Sequence, residues 1–279
     1  DKDRVASLPK TSGWKNEFVI SSVDRHIYIH QGIELCGGTL VRAGDENGVS
    51  AEDILAKVGP NTAAVVHFLG KQSREQLAEV IAGCDKAGVP VMVDAAAQLP
   101  PRSNLVEIVG MGASLVNFSG GKGIRGPQSS GLVLGKKDYV DAVRMNASPN
   151  SGMGRGMKVG KEEILGLVTA VDLFLRGRDE DDQTTWEWQA SHVTHAVQEC
   201  EGVNAYVLRD EQPAMPVFAP RGYIEFDNPD RINEVIGKLR DGKPSVVVRR
   251  SENRIIIDPM TMRSGEEEVV AERLKEVLT

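Results

Sequence analysis

Little in this sequence points toward a membrane, a disulfide scaffold or a polyanionic partner. No run of about 18 apolar residues occurs, which excludes a long hydrophobic spanning helix. The three cysteines, Cys36, Cys84 and Cys200, lack CxxC spacing and suggest neither a disulfide framework nor a zinc site. Positive charge is in deficit, with 33 Lys and Arg against 40 Asp and Glu, a formal net charge of −7. That balance disfavours a generic nucleic-acid or anionic-membrane surface. The chain opens Asp1-Lys-Asp-Arg, with no methionine and no signal-peptide pattern after it. It reads as processed, or as a piece of a longer chain, in a reducing, cytoplasmic setting.

What is present is ordinary globular material. With 279 residues, 41% hydrophobic and 26% charged, the chain has room for one large domain and a small one. Strand-like runs at 17–20, 39–42, 63–69, 89–94, 113–118 and 131–134 alternate with helical patterns at 26–36, 50–58, 73–87 and 103–111. That alternation predicts a mainly parallel α/β sheet. A helix followed by a Gly/Ser/Met-rich loop fills 136–160, and a long helix is expected over 161–176. The acidic run at 178–182 reads as a solvated hinge. Beyond it the pattern changes to a helix over 186–200, short strands at 205–208, 222–226, 245–248 and 254–257, and helices at 230–239 and 265–278. The expectation is a large domain over 1–185 and a small α+β domain over 186–279.

Two segments carry chemistry. Val89-Pro-Val-Met-Val-Asp94 is an apolar strand ending in an acid, where open α/β sheets place ligands. Ser119-Gly-Gly-Lys122-Gly lies between two apolar strands, and its glycines let backbone approach a ligand closely. An acid that holds a pyridine nitrogen protonated and a lysine that forms a Schiff base are what a pyridoxal-phosphate (PLP) enzyme needs. A desolvated Lys122 would suit that chemistry, and the Ser119 hydroxyl could donate to a phosphate oxygen. Ala96 is small enough to face a flat ring. Asp94 alone could equally be a turn-capping residue. Gly121-Lys-Gly123-Ile-Arg-Gly126 matches GxGxxG, yet that fingerprint requires a helix to open at the glycines. Pro127-Gln-Ser-Ser leads instead into another strand, so a dinucleotide fold is disfavoured.

The segments Asp94-Ala-Ala-Ala-Gln98-Leu-Pro-Pro, Ser119-Gly-Gly-Lys122-Gly-Ile-Arg-Gly-Pro-Gln128 and Arg155-Gly-Met-Lys158-Val-Gly-Lys-Glu-Glu163 resemble the selenocysteine synthase-like group of fold-type-I PLP enzymes. That group contains L-seryl-tRNA(Sec) selenium transferase and D-glucosaminate-6-phosphate ammonia-lyase. The resemblance implies a fold-type-I large domain, Lys122 as the Schiff-base residue, Asp94 as the pyridinium partner and Ser119 as a phosphate ligand. It further implies a homodimer or higher homo-oligomer, and an N-terminal segment upstream of residue 1. Selenium transferases carry an acid just before the lysine and Leu-Leu-Gly after it. Gly121 and Gly123-Ile-Arg depart from that pattern and place the chain nearer the ammonia-lyase branch.

Other candidates are less specific. In Asp24-Arg-His26-Ile-Tyr28-Ile-His30 one ring could stack on the cofactor; His26 is favoured, with Tyr28 and His30 left open. Gln98 could bond the cofactor's ring hydroxyl. Arg125, Arg155 and Lys158 are candidate anion binders for a substrate carboxylate or phosphate, against the alternative of solvated loop residues. His192, His195 and Glu199 could share a helix face, although two histidines at that spacing are more often a solvated face, and no metal is expected. Trp186 and Trp188 are expected to pack the two domains together. The favoured function is PLP-dependent α,β-elimination from a 2-amino-3-hydroxy acid, such as a phosphorylated amino-sugar acid. Selenium transfer on seryl-tRNA is the alternative, disfavoured by the negative charge, and a non-catalytic relative is the third.

Overall fold

A computed structural model describes residues 1–209 and 219–279 in full, and 211–212 and 215–216 as backbone alone. The chain divides into two compact units, Asp1–Arg176 and, in the second, Gly177–Gln212 with Pro216–Thr279.

Apolar runs that alternate with amphipathic helices build the first unit. Its strands are β1 (Glu17–Ser21), β2 (Thr39–Ala43), β3 (Thr62–Phe68), β4 (Val91–Asp94), β5 (Leu115–Ser119) and β6 (Gly131–Gly135). They form one sheet in the order β2-β1-β3-β4-β5-β6. The first five strands are mutually parallel, and β6 runs antiparallel to β5. Helices α1 (Lys2–Ser7), α2 (Ile27–Leu35), α3 (Ala51–Leu55), α4 (Arg74–Lys86), α5 (Asn104–Gly110), α6 (Lys137–Asn146) and α7 (Lys161–Arg176) complete the unit.

Both faces of the sheet are covered, as a parallel sheet requires. Val65 and Val93 pack with Leu77, Val80 and Cys84 of α4. On the other face Val66, Phe68 and Ile20 meet Ile29 and Ile33 of α2. The α4 start is set by Ser73, whose hydroxyl accepts from the Gln76 N–H at 3.1 Å. Ser50 and Asp53 form the expected reciprocal capping box at α3. No helix opens at Gly121–Gly126; the segment turns directly into β6, the opposite of a dinucleotide-binding turn.

The second unit begins with α8 (Asp179–Ala196), followed by β7 (Val203–Leu208), β8 (Arg221–Phe226), α9 (Arg231–Asp241), β9 (Arg249–Ser251), β10 (Arg254–Ile257) and α10 (Glu266–Leu278). Its antiparallel sheet has the order β9-β10-β8-β7. Ile224, Phe226, Ile255 and Ile257 pack with Val193, Ile232, Val235 and Leu274 from the helices.

Four local expectations differ from the structure. The acidic run read as a hinge is the first turn of α8, where Asp179, Glu180, Asp181 and Asp182 face the positive end of the helix dipole. The boundary expected near 185 therefore falls inside a helix, and the units divide between Arg176 and Gly177. Residues 245–248 form no strand, because the Val246 N–H donates to Leu239 C=O at 2.9 Å and ties the segment to the end of α9. Trp188, expected to pack between domains, is 53% exposed and lies against the His192 ring, whereas Trp186 is buried. Among the described residues no helix is long and apolar enough to cross a membrane.

Candidate active site

The carboxyl edge of the large sheet gathers the chemistry. In register Phe68 pairs with Asp94, and Asp94 with Asn117. The Ala95 N–H donates to Asn117 C=O at 3.0 Å, and the Ser119 N–H reaches Ala96 C=O at 3.4 Å. Asp94, Ala96 and Ser119 therefore sit on adjoining strand ends. Asp94 Oδ1 accepts from the Ala96 N–H at 2.9 Å, an Asx turn that fixes the carboxylate. Its second oxygen has no hydrogen-bonding partner among the described residues.

Lys122 lies in a turn that only glycine permits. A Cβ on Gly123 would sit 2.0 Å from Leu99 C=O, and one on Gly121 2.7 Å from Gln128 Cα. Buried Ile124 pins the turn, and the Arg125 N–H closes it on Lys122 C=O at 2.9 Å. The side chain of Lys122 is exposed, which corrects the expectation of a desolvated lysine: its glycine neighbours have nothing to cover it with. Its ammonium has no hydrogen bond or ion pair among the described residues. Gln98 is 8% exposed, and its Nε2 donates to Leu69 C=O at 2.9 Å, lacing the β3 and β4 loops together.

His26 occupies the N-cap position of α2 without a side-chain capping bond and stacks 6.4 Å from the Phe68 ring at an interplanar angle of 24°. Tyr28 is 69% exposed, and His30 is buried. Asp24 touches both imidazoles: its Oδ1 meets His26 Nδ1, and its Oδ2 lies 2.8 Å from His30 Nε2. Reading the residues for a stacking ring missed Asp24, Arg42 and Phe68. The available signal was the placement of Asp24 two residues before one histidine and six before the other.

The candidate anion binders are more dispersed. Arg125 is exposed with a left-handed φ of 60°. Arg155 lies in a short 3-10 turn, with its Nη1 donating to Ser148 Oγ at 2.9 Å, and Lys158 ends that turn. Both are exposed, and no described hydrogen bond or ion pair joins them to Asp94, Lys122 or His26. In the second unit His192 Nε2 lies 3.4 Å from a Glu268 oxygen. Two groups stand apart from the edge. Burial pushes the His67 imidazole down to about 4, partly offset by the Ser73 backbone. Burial likewise pushes the Cys84 thiol up to about 11, which makes it a packing residue and no nucleophile.

The relatives and solved structures that this chain resembles make it a fold-type-I PLP-dependent enzyme with a mainly parallel sheet. The chain belongs to the L-seryl-tRNA selenium transferase (SelA) family, whose model matches residues 28–199. It is 27% identical to D-glucosaminate-6-phosphate ammonia lyase of Salmonella typhimurium, over 99% of this chain and 74% of that protein. It is 28% identical to 5'-C-glycyluridine monooxygenase-decarboxylase of a Streptomyces species, over 99% of this chain and 70% of the relative. Identity to L-seryl-tRNA(Sec) selenium transferase of Aquifex aeolicus is 22%, over 87% and 60%. A solved structure of D-glucosaminate-6-phosphate ammonia-lyase superposes with a TM-score of 0.80 at 25% identity, covering 100% of this chain and 75% of that one. The serine palmitoyltransferase of Sphingomonas wittichii shares the fold, with a TM-score of 0.58 at 12% identity over 98% and 69%.

The residues at the edge fit the cofactor of that class. Asp94 offers an acceptor-only oxygen without a partner among the described residues, and Lys122 an unpaired amine held in a turn whose glycines pack against Leu99 and Gln128. These are the groups that a pyridinium N–H and an aldehyde require.

Proposed function

We propose that this chain is a PLP-dependent lyase that eliminates the β-hydroxyl of a 2-amino-3-hydroxy acid, with a phosphorylated amino-sugar acid such as D-glucosaminate 6-phosphate as substrate. The observation that carries the reading is an unpartnered Asp94 oxygen at the end of β4 and an unpaired Lys122 in the turn after the neighbouring β5, in a chain alignable over 99% of its length to the ammonia lyase. Bound PLP supplies an electron sink for the pair released when the Cα–H bond breaks.

The chain's own residues do the rest. Asp94 would hold the proton on the cofactor's ring nitrogen, and Ser119 would donate its hydroxyl to the phosphate. His26 and Ala96 would border the ring, with Gln98 serving its hydroxyl. Lys122 would hold the cofactor through its aldehyde, and its Nζ, once free, would take the Cα proton as general base. The β-hydroxyl would take up a proton and leave as water, giving after hydrolysis a 2-keto acid and ammonia. Arg125, Arg155 and Lys158 supply cations for the carboxylate and phosphate. The expected working form is a cytoplasmic homo-oligomer acting on a small molecule.

Selenium transfer on seryl-tRNA is the second reading, favoured by the family model and opposed by the net charge of −7. The test is to load the protein with PLP and offer D-glucosaminate 6-phosphate, then seryl-tRNA with a selenium donor. A 2-keto acid and ammonia in equal amounts support the lyase. Selenocysteinyl-tRNA without keto acid overturns it.

A further inference from the structure

The ends of β1 and β2 carry a polar cluster that this elimination leaves unexplained. Asp24 is 2% exposed and receives three hydrogen bonds. Its Oδ2 accepts from the His26 backbone N–H at 3.1 Å and faces His30 Nε2 at 2.8 Å, while Oδ1 meets His26 Nδ1. Beyond His30, Arg42 Nη2 lies 3.3 Å from Nδ1.

What each group can donate fixes the direction of the chain. A guanidinium only donates, so His30 Nδ1 is the acceptor; a proton there would set donor against donor and cation against cation. The His30 proton therefore sits on Nε2 and is given to Asp24. A carboxylate only accepts, so its other oxygen takes the proton of His26 Nδ1. That leaves His26 Nε2 as a ring nitrogen with no partner among the described residues. The His26 side chain is 46% exposed and lines an open pocket with Arg25, Glu46, Asn47 and Lys71.

We propose that Asp24, held by His30 and Arg42, is a positioning residue that fixes His26 in its Nδ1–H tautomer, so that Nε2 accepts and returns a proton in the open pocket it lines. The use of that proton rests on the lyase reading; the tautomer does not. A substrate ammonium must lose one proton before its amine can react, and the β-hydroxyl must gain one to leave as water. His26 Nε2 takes the first and returns it as the second, while the Cα proton goes to Lys122. The Cα–H pair becomes the Cα–Cβ double bond, and the Cβ–O bond breaks. Several groups face the ring. They are Asp24, the Tyr28 ring on α2 at 5.7 Å, Phe68 on β3, Arg25 paired with Glu46 at 4.0 Å, and Lys71 across the pocket. Of these, Asp24 alone bonds a ring nitrogen.

Nitrogen-15 NMR of the histidine rings in cofactor-free protein tests the assignment, and only five histidines need resolving. The expected result is His26 as Nδ1–H and His30 as Nε2–H. Asp24→Asn, whose amide can donate, moves His26 toward Nε2–H, and Arg42→Gln lets His30 exchange between tautomers. A wild-type His26 found as Nε2–H overturns the proposal, as does a folded Asp24→Asn protein with His26 unchanged. If Asp24→Asn fails to fold, the wild-type spectrum and Arg42→Gln decide. In the loaded enzyme, Asp24→Asn should lower kcat by about 10²-fold and remove one limb of its pH profile, with KM and the cofactor band unchanged. An unchanged kcat overturns the proton-transfer role. Wild-type protein that turns over no hydroxyamino acid overturns the lyase reading and leaves the tautomer result standing.

Discussion

The carboxyl edge of the large sheet and the four-stranded sheet of the second unit treat polar groups in opposite ways. In the second unit charges serve each other: Arg221 bonds Asp258 at 2.9 Å, and Arg209 bonds Glu187 at 2.9 Å. At the edge, an oxygen of Asp94, the Lys122 ammonium and His26 Nε2 have no partner among the described residues. Polar groups left without a partner along one strand edge are what a ligand site requires, whereas satisfied pairs need only structure. The difference separates the unit that would do chemistry from the unit that holds shape.

The strongest way to break this contrast is Lys122→Ala. Turnover should fall by at least about 10³-fold, and the visible band of bound cofactor should vanish, as absorption spectra would show. An unchanged band would remove Lys122 from the site. Asp94→Asn should come next, with kcat lower by about 10²–10³-fold while cofactor is still bound, because a neutral amide cannot balance the ring's charge. Steady-state kinetics of the reconstituted variant would measure it.

Backbone and burial effects follow. Gly123→Ala should cost about 3 kcal/mol in denaturant unfolding, since its Cβ would meet Leu99 C=O at 2.0 Å and backbone cannot step aside. His67 offers a pH test away from the edge. Its imidazole is held down at about 4 against an ordinary value of 6.5, so between those values the unfolded chain binds a proton that the folded chain refuses. Stability should therefore fall by about 3 kcal/mol as pH drops from 6.5 to 4, and His67→Leu should flatten that slope. The smallest effect is expected in the second unit. Arg209→Ala removes an exposed pair with Glu187 and should shift stability by less than about 1 kcal/mol with turnover unchanged. A large loss of activity there would dissolve the contrast.

Much of the architecture is legible in the sequence. Val65, Val66, Val91 and Val93 mark strands buried on both faces, and Leu77, Val80 and Cys84 repeat at helical spacing. Asp94 at one strand end and the glycine-flanked Lys122 after another mark the candidate site through the same local grammar. The acidic run after Arg178 was misread because charge marks solvent exposure in a linker and in a helix's first turn alike. Residues 245–248 look like a strand by composition, and only the bond from Val246 to Leu239 C=O removes them from the sheet.

The sequence by itself determined periodicity, helix caps and the residue types that end each strand, because those depend on neighbours a few positions away. Tertiary structure alone decided that β6 runs antiparallel, that Lys122 stands exposed and that Arg42 on β2 reaches His30 on α2. It also decided that Asp24 lies between two imidazoles. Each of these depends on which distant backbone arrives alongside, and no local spacing encodes that approach.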